Sequence, residues 1–238
     1  MSLITPAVLP SSHADLDEKL ALFAQMPSVN RIQIDVVDGK FASPASWPYT
    51  APKEMREKVA RSEMLPHLDH IEYEMDLMCL DAERAAGDWI ALGASRITLH
   101  VESAFDLQKS VDALCTHYGC GLAECGLVSL GLAVHIASDL SLLEPHVGRI
   151  DYVQFMGIAK IGRQGQPFDR RVIEKVRAFH TRHPQIPVQV DGGVSLANAR
   201  ELIAAGVSNL VVGSGILRAT DPAAALAKFE ALESPYGV

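Results

Sequence analysis

Strand-like and helix-like stretches alternate from one end of the chain to the other, eight times. The apolar, period-two stretches cover 3–9, 31–37, 71–78, 96–102, 130–135, 150–156, 186–191 and 209–212. Ser12 caps a first helical pattern that carries Leu16, Leu20, Phe23 and Ala24 on one face. Further helical patterns follow near 53–63, 82–93, 104–116, 139–146, 169–182, 196–205 and 222–232. Eight such pairs in 238 residues predict an α/β fold, a single (β/α)8 barrel of the TIM type over 1–238. A doubly wound sheet is the other arrangement this alternation allows. Pro6 interrupts the first run, which suits a strand end better than a strand middle.

Net charge is −8, from 21 basic and 29 acidic residues, which argues against a nucleic-acid surface. No apolar run is long enough for a bilayer and the first residues lack a signal-peptide pattern, so a cytoplasmic protein without membrane contact is expected. Cys79, Cys115, Cys120 and Cys125 lack metal-knuckle spacing and read as reduced structural thiols. His67-x-x-His70 and His180-x-x-His183 read as surface pairs rather than ligands. Glu72 and Glu74 share a strand face and read as barrel-bottom or edge groups.

In a (β/α)8 barrel the C-terminal strand ends surround one mouth. The polar or sulfur-bearing groups expected there are Gln33, Asp35, Asp76, Met78, His100, Glu102, His135, Met156 and Asp191. Asp35 and Asp191 stand out, because each closes an aliphatic strand and a Gly-containing turn follows. Two opposed carboxylates, one ionised and one protonated, suit proton removal next to a carbonyl and return on the opposite face. Such a step also needs positive charge at the developing enediolate.

Glycines cluster after the last three strands: Gly162 and Gly165, Gly192 and Gly193, then Gly213-Ser214-Gly215. Backbone N–H groups at three neighbouring strand ends make an anion cradle, to which Lys160 and Arg163 add charge.

The motifs together resemble the ribulose-phosphate 3-epimerase family over nearly the whole chain. Ile34-Asp35-Val36-Val37-Asp38-Gly39-Lys40-Phe41 is similar to its His-x-Asp-x-Met-Asp-Gly-His-Phe signature. Thr98-Leu99-His100-Val101-Glu102 resembles its Thr-x-His-x-Glu, and Gly162–Phe168 resembles its Gly-Phe-Gly-Gly-Gln-x-Phe loop. Val190-Asp191-Gly192-Gly193-Val194 and Val212-Gly213-Ser214 match its last two motifs. The resemblance implies a cytoplasmic homo-oligomeric isomerase of carbohydrate metabolism, its barrel of the ribulose-phosphate-binding type, that epimerises a ketose phosphate such as ribulose 5-phosphate. It implies Asp35 and Asp191 as acid–base pair and metal ligands. Gly162, Gly165, Gly192, Gly193, Gly213 and Ser214 would hold the phosphate, with Met78 and Met156 near the reacting carbon.

Five departures stand beside these matches. The family's two metal-binding histidines fall on Gln33 and Asp76, its substrate-binding Ser on Ala7, its strand-five Asn on His135 and a third methionine on Val37. The remaining ligand set, Asp35, Asp76 and Asp191 with Gln33 as an oxygen donor, suits Mg²⁺ or Mn²⁺ better than Zn²⁺, or holds no metal. The rival readings are a barrel with aldolase- or decarboxylase-like chemistry and a catalytically silent sugar-phosphate-binding module.

Overall fold

Side chains alternate across a strand, and here that alternation sorts the chain into two cores. On β2 (Arg31–Val37), Ile32, Ile34 and Val36 pack outward into the apolar layer beneath the helices, while Gln33 and Asp35 turn into the barrel. The strands are β1 (Ile4–Val8), β2, β3 (Glu72–Met78), β4 (Arg96–His100), β5 (Ser129–Val134), β6 (Tyr152–Met156), β7 (Val188–Asp191) and β8 (Asn209–Val212). All neighbours are parallel, and β8 pairs with β1 to close the barrel in sequence order. The computed structural model describes residues 3–103, 106–119 and 126–233.

The helices are α1 (His13–Ala24), α2 (Pro52–Ala60), α3 (Ala82–Ile90), α4 (Leu107–Tyr118), α5 (Arg171–Arg182), α6 (Leu196–Ala204), α7 (Ser214–Leu217) and α8 (Pro222–Glu230). Leu16, Leu20 and Phe23 of α1 and Val172, Ile173, Val176 and Phe179 of α5 supply the helix side of the outer core. Each large side chain buried this way contributes roughly 1.5–3 kcal/mol. Among the described residues, no helix is long and apolar enough to cross a membrane.

Three local expectations change. Pro6 lies in the middle of β1, where bridges to β8 span Ile4–Pro6 and bridges to β2 begin at Ala7. The ladder changes partner at the residue that has no N–H to give. The helix expected at 139–146 is two short 3₁₀ turns, Leu140–Leu142 and Glu144–Arg149, because Pro145 and Gly148 do not sustain a longer α-helix. Cys79 is a buried free thiol, but Cys115 is disulfide-bonded, so the reduced reading fails there. Cys120 and Cys125 lie outside the described residues.

The bottom of the barrel interior is polar. Glu74 is fully buried and accepts from Arg96 Nε at 2.9 Å and Thr98 Oγ1 at 3.1 Å, with Gln189 Nε2 also donating to it. The Arg96 guanidinium lies 3.9 Å from the centre of the Tyr152 ring. Glu72, by contrast, sits at the rim and pairs with Arg31.

Candidate active site

Asp35 of β2 and Asp191 of β7 face the barrel mouth from strands separated by β1 and β8, and Gln33 lies between them. The Gln33 amide donates to Asp35 Oδ1 at 2.9 Å and to Asp191 Oδ2 at 3.0 Å. One buried amide thus ties the two carboxylates together across the mouth. Its own oxygen, Oε1, is buried and has no hydrogen-bond partner among the described residues. Asp76 is the register partner of Asp35 on β3 and joins the group from the other side. Oxygens of Asp35, Asp76 and Asp191 lie within 4.8 Å of one another.

Asp76 has two donors of its own. His100 Nε2 lies 2.9 Å from its Oδ1, and Gln154 Nε2 donates to its Oδ2 at 3.1 Å. Both Asp76 and His100 are fully buried. Three carboxylates in so little space cannot all ionise cheaply. Burial and then the charges of Asp191 and Asp76 push the Asp35 carboxyl well above the usual carboxylate range. Burial, reinforced by Asp76, pushes Asp191 up to about 7, against the pull of the Gln33 amide and His100. Burial disfavours the charged form of His100, yet the Asp76 carboxylate outweighs it and holds the imidazole above its ordinary value.

Six of the phosphate-cradle candidates line one narrow cleft. Gly162, Gly165, Gly192, Gly193, Gly213 and Ser214 border it together with Asp35, Asp191, Met78, Met156 and Ala7. The turn after β7 is built for backbone approach: a Cβ on Gly193, which has φ +70°, would lie 2.7 Å from the Phe168 Cα. Asn198 pins this turn by donating to Gly193 O at 3.0 Å and accepting from Ser195 N at 2.9 Å. Ser214 opens α7, a four-residue helix absent from the sequence pattern, whose first N–H groups have no intrahelical acceptor.

The loop after β2 is stitched over the mouth. Ser46 exchanges hydrogen bonds with Val37, and Asp38 Oδ1 accepts from the N–H groups of Lys40 and Phe41. Asp38, part of the motif, therefore shapes a turn and stands apart from the carboxylate group. Phe41 packs against His100 with ring centroids 5.4 Å apart. Arg163 reaches across to this loop and donates to Ser43 O at 2.8 Å.

Glu102, His135, Lys160 and Arg163 border a neighbouring, more open cavity of about 490 Å³. His135 lies just past β5, and its ring nitrogens contact Ala159 O and Ala137 N rather than the aspartates. His67 and His70 meet edge to face in a loop, and His183 pairs with Glu144, away from the mouth. The residues that pattern reading missed are Gln154, Asn198 and Gln164. Their signal is spatial, since each comes from a different element and acts through a neighbour.

A divalent cation, which the family resemblance implies, fits this donor set. Asp35, Asp76 and Asp191 offer oxygens at a common point, and a half-turn of the Gln33 amide would add its unpartnered oxygen. Oxygen-only donors favour a hard ion.

Residues 3–217 match the family model described as the ribulose-phosphate 3 epimerase family. The ribulose-phosphate 3-epimerase of Aquifex aeolicus (strain VF5) is 26% identical over 236 residues, covering 98% of this chain and 97% of that protein. The ribulose-phosphate 3-epimerase of Escherichia coli (strain K12) is 27% identical over 223 residues, covering 92% and 90%. Among solved structures, a 3-hexulose-6-phosphate synthase superposes with TM-score 0.64 at 20% identity, covering 98% of this chain and all of the other, a likeness of fold. With the motifs spread around one barrel mouth and the family model spanning most of its length, the chain belongs to the ribulose-phosphate 3-epimerase family of isomerases.

Proposed function

We propose that the protein epimerises a ketose phosphate of the ribulose 5-phosphate type, with Asp35 and Asp191 as the opposed acid and base. The observation that carries this reading is the buried carboxylate pair joined by Gln33 beside the glycine cradle. With the phosphate held by backbone N–H groups near Gly193 and Ser214, the sugar chain runs toward the two aspartates. The ionised carboxylate takes the proton from C3. The C–H electron pair moves into a C2–C3 double bond as the carbonyl oxygen gains negative charge. The other, protonated carboxyl delivers its proton to C3 from the opposite face, and the configuration inverts. This cycle needs one proton on the pair near neutral pH, and raised values of both carboxyls supply it. Met78 and Met156 line the cleft and keep water from the carbanion-like carbon.

A hard divalent cation such as Mg²⁺ or Mn²⁺, held by Asp35, Asp76 and Asp191, would supply positive charge for the enediolate oxygens and draw the carboxyls toward ionisation. Asp76 is fixed for that task by His100 and Gln154.

The test is incubation with D-ribulose 5-phosphate in D₂O, with and without added Mg²⁺ or Mn²⁺. Deuterium should enter C3 together with conversion to the C3 epimer. Asp191→Asn should slow exchange by at least about 10²-fold, as loss of a general acid–base group does, while inorganic phosphate still raises the melting temperature. Exchange that survives in Asp191→Asn would remove the two-carboxylate mechanism.

A further inference from the structure

Gln164 comes from the loop after β6, yet its side chain crosses to the tips of β1 and β8. Its amide nitrogen donates to Ala7 O at 3.3 Å. A Cβ on Gly213 would lie 2.5 Å from that nitrogen and 3.0 Å from the amide carbon, so the glycine is what leaves room for the amide. Gln164 also comes close enough to Asp35 to favour its charged form. The side chain thus spans the cleft between Gly213 of the cradle and Asp35 of the acid–base pair.

Two features make this more than a packed loop. The amide uses its nitrogen on Ala7 O, so Oε1 is the end of the amide that can accept from a ligand in the cleft. The residue beneath it is Ala7, which offers a methyl group and a backbone carbonyl but no side-chain hydroxyl. A polar substrate that passes this point meets the Gln164 amide on its way from the cradle to Asp35.

We propose that Gln164 is a specificity-determining residue that reads the hydroxyl on the carbon between the phosphate ester and the reacting carbon. The inference rests on the reading of the cleft as a ketose-phosphate site. In a ketopentose 5-phosphate this hydroxyl is on C4. It donates to Gln164 Oε1, while the amide nitrogen stays anchored on Ala7 O. A substrate without the hydroxyl leaves the oxygen of an anchored amide covered and unpaired, and the discrimination comes from that loss.

Binding of two non-reacting ligands tests this without turnover: a pentitol 5-phosphate and its 4-deoxy analogue, compared by calorimetry. The wild type should prefer the hydroxylated ligand by about tenfold, the worth of one net hydrogen bond. Gln164→Leu, which keeps bulk and removes the amide, should bring the two affinities to within about twofold, on the same scale. Gln164→Gly should do the same, and inorganic phosphate should bind all three proteins alike, which confirms an intact cradle. Retained preference in Gln164→Leu overturns the proposal, because the side chain would then act only as a spacer. Equal binding of both ligands to the wild type overturns it as well. Failure of the epimerase reading shows separately, as absence of C3 exchange while the ligand preference persists. If the wild type binds neither pentitol ligand nor inorganic phosphate, the cleft is not a phosphate site and both readings fall.

Discussion

Gln33 holds two acids with one amide, and that arrangement sets what each acid can do. Its two N–H groups favour the ionised forms of Asp35 and Asp191 against burial and mutual repulsion. Gln33→Leu removes both donors at nearly constant volume. Both carboxyls should then hold their protons more tightly, and the pH at which C3 exchange half-activates should move upward, while phosphate affinity is unchanged. A pH–rate profile for exchange checks this; an unchanged profile would detach Gln33 from the pair. At this scale the sequence carried much of the site. Asp35 and Asp191 were legible because an acid that closes an aliphatic strand needs a partner or a task. The orientation of the Gln33 amide was not legible, since it depends on where Asp191 arrives from 158 residues away along the chain. Gln164 was read only as part of a glycine-rich loop, because a side chain that crosses the barrel mouth leaves no periodic trace.

Glu74 of β3 and Arg96 of β4 meet at the bottom of the barrel interior as register partners. Burial alone would raise the Glu74 carboxyl, but the Arg96 guanidinium outweighs it and holds the group below its ordinary value. A carboxyl depressed in the folded state adds stability above its unfolded value, near 4.5, and loses it as pH falls through the folded value. Arg96→Met strands a fully buried carboxylate and should cost roughly 3–5 kcal/mol in denaturant unfolding near neutral pH. Adding Glu74→Gln to it should recover a good part of that loss. A single-variant cost below about 1 kcal/mol would mean the pair behaves like an exposed one. The eight strands were legible because each is an apolar run of the right period, whereas the polar lining of the barrel appeared only as scattered Glu, Gln and Thr residues. Helix α7, four residues long, has no room for a helical period and could not be read from pattern.

Closing the sheet forces the groups at the mouth into one buried set, and the whole molecule's stability feels their titration. The folded protein retains protons on Asp35 and Asp191 that the unfolded chain releases near 3.8. From about pH 4 until Asp191 ionises near 7, stability therefore falls as pH rises, by up to about 1.4 kcal/mol per pH unit for each retained proton. His100 acts in the same direction over a higher window. Its folded value lies above 6.5, so its contribution is complete below 6.5 and is lost as pH rises through that folded value. Glu74 opposes this trend only near and below 4.5, at the lower edge of the window. Chelator-treated protein should accordingly melt at a higher temperature at pH 5 than at pH 8. Mg²⁺ or Mn²⁺ should raise the melting temperature more at pH 8 than at pH 5, because protons and a cation compete for Asp35 and Asp191. Scanning calorimetry at the two pH values, with and without cation, reads both effects at once. A melting temperature that is flat with pH and indifferent to cation would show that the aspartates neither repel nor share a site, and the acid–base assignment would lose its electrostatic basis.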